Sequence, residues 1–489
     1  MSFEKPNKSI ALILFAGSIL FGYITYKSYS VSFTHDESYS YLNFCGEGFI
    51  DIISYNQWFS NNHILNTLLM KYSELLFGNS ELALRLPNLL ALLLYMVFAY
   101  LFFRGRHWML SVAIFLLLCS GNQLMDLFGM ARGYGLSSAF MVVSFYFFIQ
   151  YLKQNTTRNL VLFHSSALLA CLSNFTLMTY YAAILLVMLA VQLLRSYVDE
   201  SRKFNFLHMI KVHLLPTLIA FVFLYEPVRR VLTFNNLDFG GKAGFIDDTV
   251  SQLVLNSFQG IDYWVWAHEL LKLIYIGLVI SSLAIAFYWF GKKKLNRIDQ
   301  HLEFVVSALL LFLISCVIIG LHFILGVDYP IGRFSAFLYP LFMIHLGFYI
   351  NYLLDLVKPK LVLSVALSLG ILSLVNFWNR NDIHFFGEWV YEKQTKNMIQ
   401  ELSDYHEFNY QNEKQIRLGI NWIFEPSINY YQKRLQLDWL LPVEQKDLSP
   451  SDNYYYCYKK DLDQFSSSNY EIIKDYKDIN TVLVRNLKN

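Results

Sequence analysis

Charge is scarce in this sequence. Asp, Glu, Lys and Arg make up 16% of the 489 residues, against about 25% in soluble domains. The 39 basic and 37 acidic residues nearly cancel, leaving a net charge of +2. No basic patch interleaved with aromatics occurs, so the pattern of a nucleic-acid partner is missing. Cysteine is rare as well. Three of the five, Cys119, Cys171 and Cys316, sit inside apolar runs, where a thiol acts as a small hydrophobe. Only Cys45 and Cys457 lie in polar surroundings, which excludes a disulfide framework beyond that one pair. Internal repeats and low-complexity segments are absent. The opening "MSFEKPNKSIALILFAGSILFGYITY" has a basic start and an apolar run but no small-residue cleavage site, so it reads as an uncleaved first span.

What is present is apolar length. Hydrophobic residues make up 55% of the chain and aromatics 17%, with a mean hydropathy of +0.36. Runs of roughly 17 to 25 apolar residues are what a bilayer core requires. They recur at 9–26, 82–103, 108–122, 134–152, 160–174, 177–194, 209–225, 269–290, 302–325, 333–354 and 361–377. The expectation is a polytopic α-helical membrane protein of about 11 spans. Alternate connections, "FRGRH", "KQNTTRN", "RSYVDESRKFN", "GKKKLNRIDQ" and "LVKPK", each carry at least two Lys or Arg. By the positive-inside rule these face the cytoplasm. The remaining loops then lie on the extracytoplasmic side of a cytoplasmic membrane. They bring Asp36, Glu37, His63, Asp126, Arg132, Asp328 and Arg333 to one face.

Two domains are expected: a membrane domain over 1–378, with outer loops 27–81 and 226–268, and a small extracytoplasmic α/β domain over 379–489. In the first outer loop, apolar positions recur at helical spacing from Ile64 to Phe77, predicting an amphipathic helix in the interface. In the second, "NNLDFGGKAGF" reads as a flexible centre, and Trp264 and Trp266 as interfacial anchors. Beyond the last span, "IRLGI", "YYYCY" and "TVLVR" read as strands and "EPSINYYQKRL" as a helix with Pro426 in its first turn.

The residues that could do chemistry begin at "FTHDESYSYLNF". Thr34-x-x-Glu37 is a capping box, and a helix starting there tolerates Asp36 and Glu37 against its dipole. The same helix would place Asp36, Tyr39 and Asn43 on one face, where a carboxylate could take a proton from a sugar hydroxyl. His63, at the start of the amphipathic helix, reads first as an N-terminal hydrogen-bonding residue, with metal or phosphate contact as the alternative. Arg132 in "DLFGMARGYGL" and Arg333 in "DYPIGRFSAFLYP" stand at outer mouths of spans beside glycines, with Tyr134 and Tyr329 in the same motifs. Snorkelling is the ordinary explanation for each arginine. Two on the side of the acid pair point to an anionic ligand, since guanidinium matches phosphate with paired hydrogen bonds. Arg85 in "ELALRLPNLL" shares the position, with a structural contact to loop acids as its simpler reading.

In order, these pieces form a set: the acid pair after span one, then "HILNTLLMKYSELLFGNSELALRLPNLL", then "ARGYGL". The set resembles the GT-C glycosyltransferases, in particular bacterial relatives of the protein O-mannosyltransferases and lipid A aminoarabinose transferases. The resemblance covers about residues 30–140, and "GRFSAFLYPLF" is similar to the family's Arg-bearing late span. It departs at "HILN", where the family commonly has His-Pro-Pro, which leaves His63 without a matching role. The resemblance implies transfer of a sugar from a polyprenyl-phosphate donor to a glycan, lipid or protein acceptor on the outer face. It also implies Asp36 as base, with Glu37 orienting it or holding a divalent metal cation, for which His63 is the other candidate ligand. His63, Arg85, Arg132, Tyr134, Tyr329 and Arg333 become the substrate-binding candidates, with membrane lipids around them. A lipid-linked glycan polymerase or ligase, and a transporter or flippase of a lipid-linked saccharide, remain the alternatives.

Overall fold

The computed structural model describes residues 7–57, 59, 61–198, 206–233, 240–409, 415–444, 448–464 and 470–487. Each apolar run forms a helix, as it must where no water is available to its N–H and C=O groups. Among the described residues eight helices are long and apolar enough to cross a membrane: Lys8–Ser30, Glu81–Phe103, Gly133–Gln154, Phe175–Val198, Met209–Thr233, Val265–Gly291, Leu302–Leu325 and Pro359–Arg380. The protein is a multi-pass membrane protein.

Three expected spans differ. The run at 108–122 breaks into helices Trp108–Leu118 and Asn122–Phe128, bent by 70°. The break falls at Ser120 and Gly121, and a Cβ on Gly121 would lie 2.6 Å from the Tyr339 ring. The helices Thr157–Ser173 and Leu338–Leu353 have 17 and 16 residues. At about 1.5 Å per residue both are short for a core roughly 30 Å thick, although Lys153 and Arg195, on either side of Thr157–Ser173 and the next helix, meet partners at the same end. By length and composition alone the described residues hold eight candidate spans, or nine with the bent pair.

The two ends of the bundle differ in chemistry. At one end the basic connections meet: Arg106 and Lys153 both pair with Glu303, at 3.0 and 2.6 Å, and Arg195 pairs with Asp299 at 3.1 Å. At the other end lie the acid-pair helix His35–Phe44, the amphipathic helix Ile64–Phe77 and the chain that follows Arg380. Leu75, Leu76 and Phe77 on the amphipathic helix are exposed, as are Trp264 and Trp266. Of the glycine-rich centre expected in the second loop, residues 235–239 lie outside the described residues. Cys45 and Cys457 are both free and buried.

After the last span the chain forms a four-stranded sheet from β1 (Leu418–Ile420), β2 (Tyr454–Tyr458), β3 (Tyr470–Tyr476) and β4 (Thr481–Asn486). The order is β1-β2-β4-β3, with β1 and β2 parallel and the other pairs antiparallel. Helix Glu425–Leu435 packs on the acid-pair helix. Its Tyr431 hydroxyl accepts from the Phe33 N–H at 2.9 Å and donates to Glu81 at 3.0 Å. The segment beyond the membrane therefore helps to build the surface that carries the acid pair.

Candidate active site

The acid pair is split between two environments. Glu37 is fully buried, with Oε1 accepting from Arg85 Nε at 2.8 Å and the Ala131 N–H at 2.6 Å. Oε2 accepts from Arg85 at 2.7 Å and from the Thr34 N–H and hydroxyl at 3.0 Å each. The capping box read from the sequence is formed. Arg85 is equally committed: beyond Glu37 it donates to the carbonyls of Ser28, Val31 and Ser32, each at 2.8 Å. All five of its N–H groups are engaged, which is the whole donor capacity of a guanidinium. This corrects the placement of Arg85 among the substrate-binding residues: it has no donor left for a ligand. Glu37 likewise has no lone pair directed at a site.

Asp36 is the opposite case. It immediately precedes Glu37 in the chain, yet its Oδ2 is buried without a hydrogen-bond partner among the described residues. Two guanidiniums face that oxygen, Arg333 at 3.2 Å and Arg132 at 4.0 Å. The helix forms and carries Asp36, Tyr39 and Asn43 at the expected spacing, but the Tyr39 and Asn43 side chains are engaged elsewhere. The Asn43 amide turns back to the Tyr39 carbonyl, and Tyr39 packs on Phe44 and Phe59. The Asp36 carbonyl is instead held by Ser40 at 2.8 Å and Asn61 at 3.1 Å.

The two arginines also differ. Arg132 is 1% exposed and donates to Ser40 at 2.7 Å and to the backbone and side chain of Asn61. Only its Nε is without a partner among the described residues. It acts as a clamp between the acid-pair helix and residue 61. Arg333 is 23% exposed on its side chain and bridges Asp36 to Glu388, which lies 2.9 Å from its other nitrogen. Its Nε donates to the Tyr134 hydroxyl at 3.2 Å, and its guanidinium lies 5.1 Å from the Trp389 ring centre. Arg333 is thus the cation with both a face toward Asp36 and an opening to ligand.

His63 sits under this arrangement, its ring 4.9 Å from that of Tyr134. Close approach is possible because residue 133 is glycine: a Cβ there would stand 1.8 Å from the Ser173 carbonyl and 2.8 Å from the imidazole. Burial, and then the charges of Arg132 and Arg333, hold the His63 pKa well below its usual value, so the ring is neutral. Its Nε2 has no partner among the described residues. Glu37 and His63 do not make a metal-ligand set: the carboxylate is saturated, and no group of three or more His, Cys, Asp or Glu comes together among the described residues.

His63 lines a cavity of about 290 Å³. Its walls include Met178, Val228, Leu232, Ile318 and Leu321 from three spanning helices, with Phe334 and Asp328 near the His63 end. Tyr329 does not line it. That ring stacks on His322 with centroids 4.2 Å apart, and its backbone pairs with Gly241.

Sequence reading missed three contributors. Glu388 and Trp389 come from beyond the last span, and no spacing rule connects them to Arg333. Lys27 is the third: fully buried at the end of the first span, it donates to Asp126 at 2.6 Å and to Asn381 at 2.9 Å. Asp126 in turn accepts from the Gly387 N–H at 3.0 Å. A lone basic residue in the last turn of an apolar helix was the available signal.

No protein-family model matches the sequence, and no curated protein matches it. Among solved structures the fold is similar to ArnT from Cupriavidus metallidurans, a lipid A aminoarabinose transferase, in its apo state. The TM-score is 0.56 over 97% of each chain at 10% identity. The same protein bound to undecaprenyl phosphate gives a TM-score of 0.54, again over 97% of each chain at 10% identity. The chain has the GT-C fold that the ordered motifs pointed to.

Proposed function

We propose that this protein is an inverting glycosyltransferase of the cytoplasmic membrane. It would move a sugar from a polyprenyl-phosphate donor to an acceptor on the extracytoplasmic face. The observation that carries the reading is Asp36: a carboxylate oxygen buried without a hydrogen-bond partner among the described residues, 3.2 Å from a partly exposed arginine whose chain neighbour Phe334 lines an apolar cavity. An apolar cavity lined by spanning helices suits a prenyl chain, and the solved complex of ArnT with undecaprenyl phosphate supports such a lipid on this fold. The extracytoplasmic assignment rests on the basic residues gathered at the opposite end of the bundle.

In this reading the acceptor hydroxyl attacks the anomeric carbon and its proton passes to Asp36. The new glycosidic C–O bond forms as the bond to phosphate breaks. The lipid phosphate leaves with the electron pair, and the anomeric centre inverts. A single base suffices because phosphate is a good leaving group once its charge is met. Arg333 meets that charge. It also links the two events, because a phosphate that draws Arg333 away from Asp36 frees the carboxylate to take a proton. Arg132 holds the Asp36 helix in place, and Tyr134 orients Arg333.

The test is transfer from an undecaprenyl-phosphate-linked radiolabelled sugar by purified protein in lipid nanodiscs. Arg333→Ala should lower donor turnover by roughly 10²-fold or more, as losing a preorganised charge stabiliser does. Arg333→Lys should restore only part, since a point charge lacks the paired donors. Unchanged turnover in Arg333→Ala would remove the donor-phosphate role.

A further inference from the structure

A second cavity, of about 370 Å³, is lined by residues that touch the same arginine. Two partners of Arg333, Glu388 and Trp389, line it, while Phe334, the neighbour of Arg333 in the chain, lines the apolar cavity. The immediate neighbours of Arg333 therefore line two spaces of different chemistry. The second is built from the short helix Asn122–Phe128, the helix Ser251–Ser257, the end of the last span and the segment around Trp389.

Its lining is amide-rich. Asn122, Gln123, Gln252 and Asn256 all face it, together with the aromatic rings of Phe385 and Trp389. Asn122 is 5% exposed, and its Oδ1 has no hydrogen-bond partner among the described residues; neither has the buried Gln123 Oε1. Buried polar atoms are ordinarily satisfied, so unmet acceptors on two lining residues leave this wall with hydrogen-bonding capacity for a ligand with donors. The charges select further. Asp126 and Glu388 already hold Lys27 and Arg333, and Arg380 on the lining is outnumbered by Asp262 and Asp382. A phosphorylated or carboxylated ligand would meet net repulsion there. An uncharged molecule rich in hydroxyls would not: amides exchange hydrogen bonds with it in both senses, and its C–H faces pack on aromatic rings. The volume lies in the range of small-molecule pockets, about 300–1,000 Å³.

We propose that this cavity is the acceptor site and that the acceptor is an uncharged saccharide, one hydroxyl of which reaches Asp36 past Trp389. The inference rests on the glycosyltransferase reading above and narrows its acceptor to one chemical class.

The experiment is saturation-transfer NMR on the full-length protein in detergent, with cellobiose, chitobiose and galactobiose as neutral probes. Glucose 6-phosphate and a neutral Ser/Thr-rich peptide are the competing classes. At least one disaccharide should receive saturation, and Asn256→Leu and the less buried Gln252→Leu should each weaken its binding at least fivefold. Undecaprenyl-phosphate binding, followed by ³¹P NMR on the same samples, should stay at the parent value and shows that each variant is folded. The proposal is overturned if no neutral disaccharide binds, if both variants bind it like the parent, or if the phosphosugar or peptide is taken up here instead. Failure of the donor reading would be seen separately, as undecaprenyl phosphate failing to bind the parent protein. The disaccharide result would still decide the nature of this cavity.

Discussion

Replacing each member of the acid pair by its amide should split stability from chemistry, and the hydrogen bonds say by how much. Glu37 accepts five: two from Arg85, two from Thr34 and one from Ala131. In Glu37→Gln one carboxylate oxygen becomes an NH₂ group. Whichever way the amide turns, that group opposes an Arg85 donor and at least one backbone N–H. Arg85 is then a buried cation without its counter-charge, and breaking a buried pair in this way costs about 3–5 kcal/mol. Asp36→Asn disturbs far less. It removes the charge that faces Arg333 at 3.2 Å, but that partly exposed arginine keeps Glu388, and the backbone carbonyl that Ser40 and Asn61 hold is unchanged. The expected stability change is within about 1 kcal/mol, while sugar transfer falls by roughly 10²–10⁴-fold with the base removed. The assay pairs thermal unfolding in detergent with transfer from a lipid-linked sugar. The reasoning fails if Glu37→Gln unfolds at the parent temperature, or if Asp36→Asn transfers at near the parent rate.

Three further outcomes follow from the same geometry. A reporter fused after Lys294 should lie in the cytoplasm and one fused after residue 489 outside it; finding both on one side would undo the sidedness. Lys27→Met should destabilise by about 3–5 kcal/mol because Asp126 is left buried and unpaired, whereas Lys27→Met combined with Asp126→Leu should cost less than the two singly, as a double-mutant cycle of unfolding would show. Glu392 is buried against Ser427 and Thr395, and burial raises its pKa to about 8. Its neutral form favours the fold, so its contribution is complete below the ordinary carboxylate range and is lost as pH rises through about 8. Glu392→Gln should therefore flatten the decline of unfolding temperature between pH 6 and 9, and an unchanged slope would assign that decline to other groups.

Local rules carried the sequence reading as far as local physics reaches. The amphipathic helix at Ile64–Phe77, the capping box at Thr34 and Glu37 and the helix after Phe424 all stand where periodicity and capping placed them. The eleven apolar runs are helices, but apolar composition does not reveal a bend. The break near Gly121 depends on the Tyr339 ring, more than 200 positions away. Strand β3 escaped because "YEIIKDY" lies at the sheet edge with most of its side chains exposed, so it lacks the apolar alternation of a half-buried strand. At the candidate site, residue type showed that acids and arginines share one end. It could not show which arginine is saturated, because that follows from carbonyls freed at the end of the first helix. Arg85 and Arg333 look alike in the sequence, and only their surroundings make one a closed, fully buried support and the other a partly exposed cation between Asp36 and Glu388.

The tie between the first helix and the chain beyond the last span bears on how this protein is made. Lys27 and Asp36 leave the ribosome early, yet their partners are Asp126, Arg333 and Asn381, and the Phe33 N–H waits for Tyr431. While synthesis is under way, Asp36 can meet Arg132 and Arg333 before the last span is made, but the buried ammonium lacks its Asn381 amide and the Phe33 N–H its Tyr431 hydroxyl. Those ties are made only after the segment beyond the final span has folded back onto the helix that carries the acid pair. A chain stopped at residue 380 can hold every spanning helix and both arginines opposite Asp36, yet lack Glu388 beside Arg333 and Tyr431 beside the acid-pair helix. The chain beyond the last span then acts as a brace, fixing charged residues that the membrane part has already brought together.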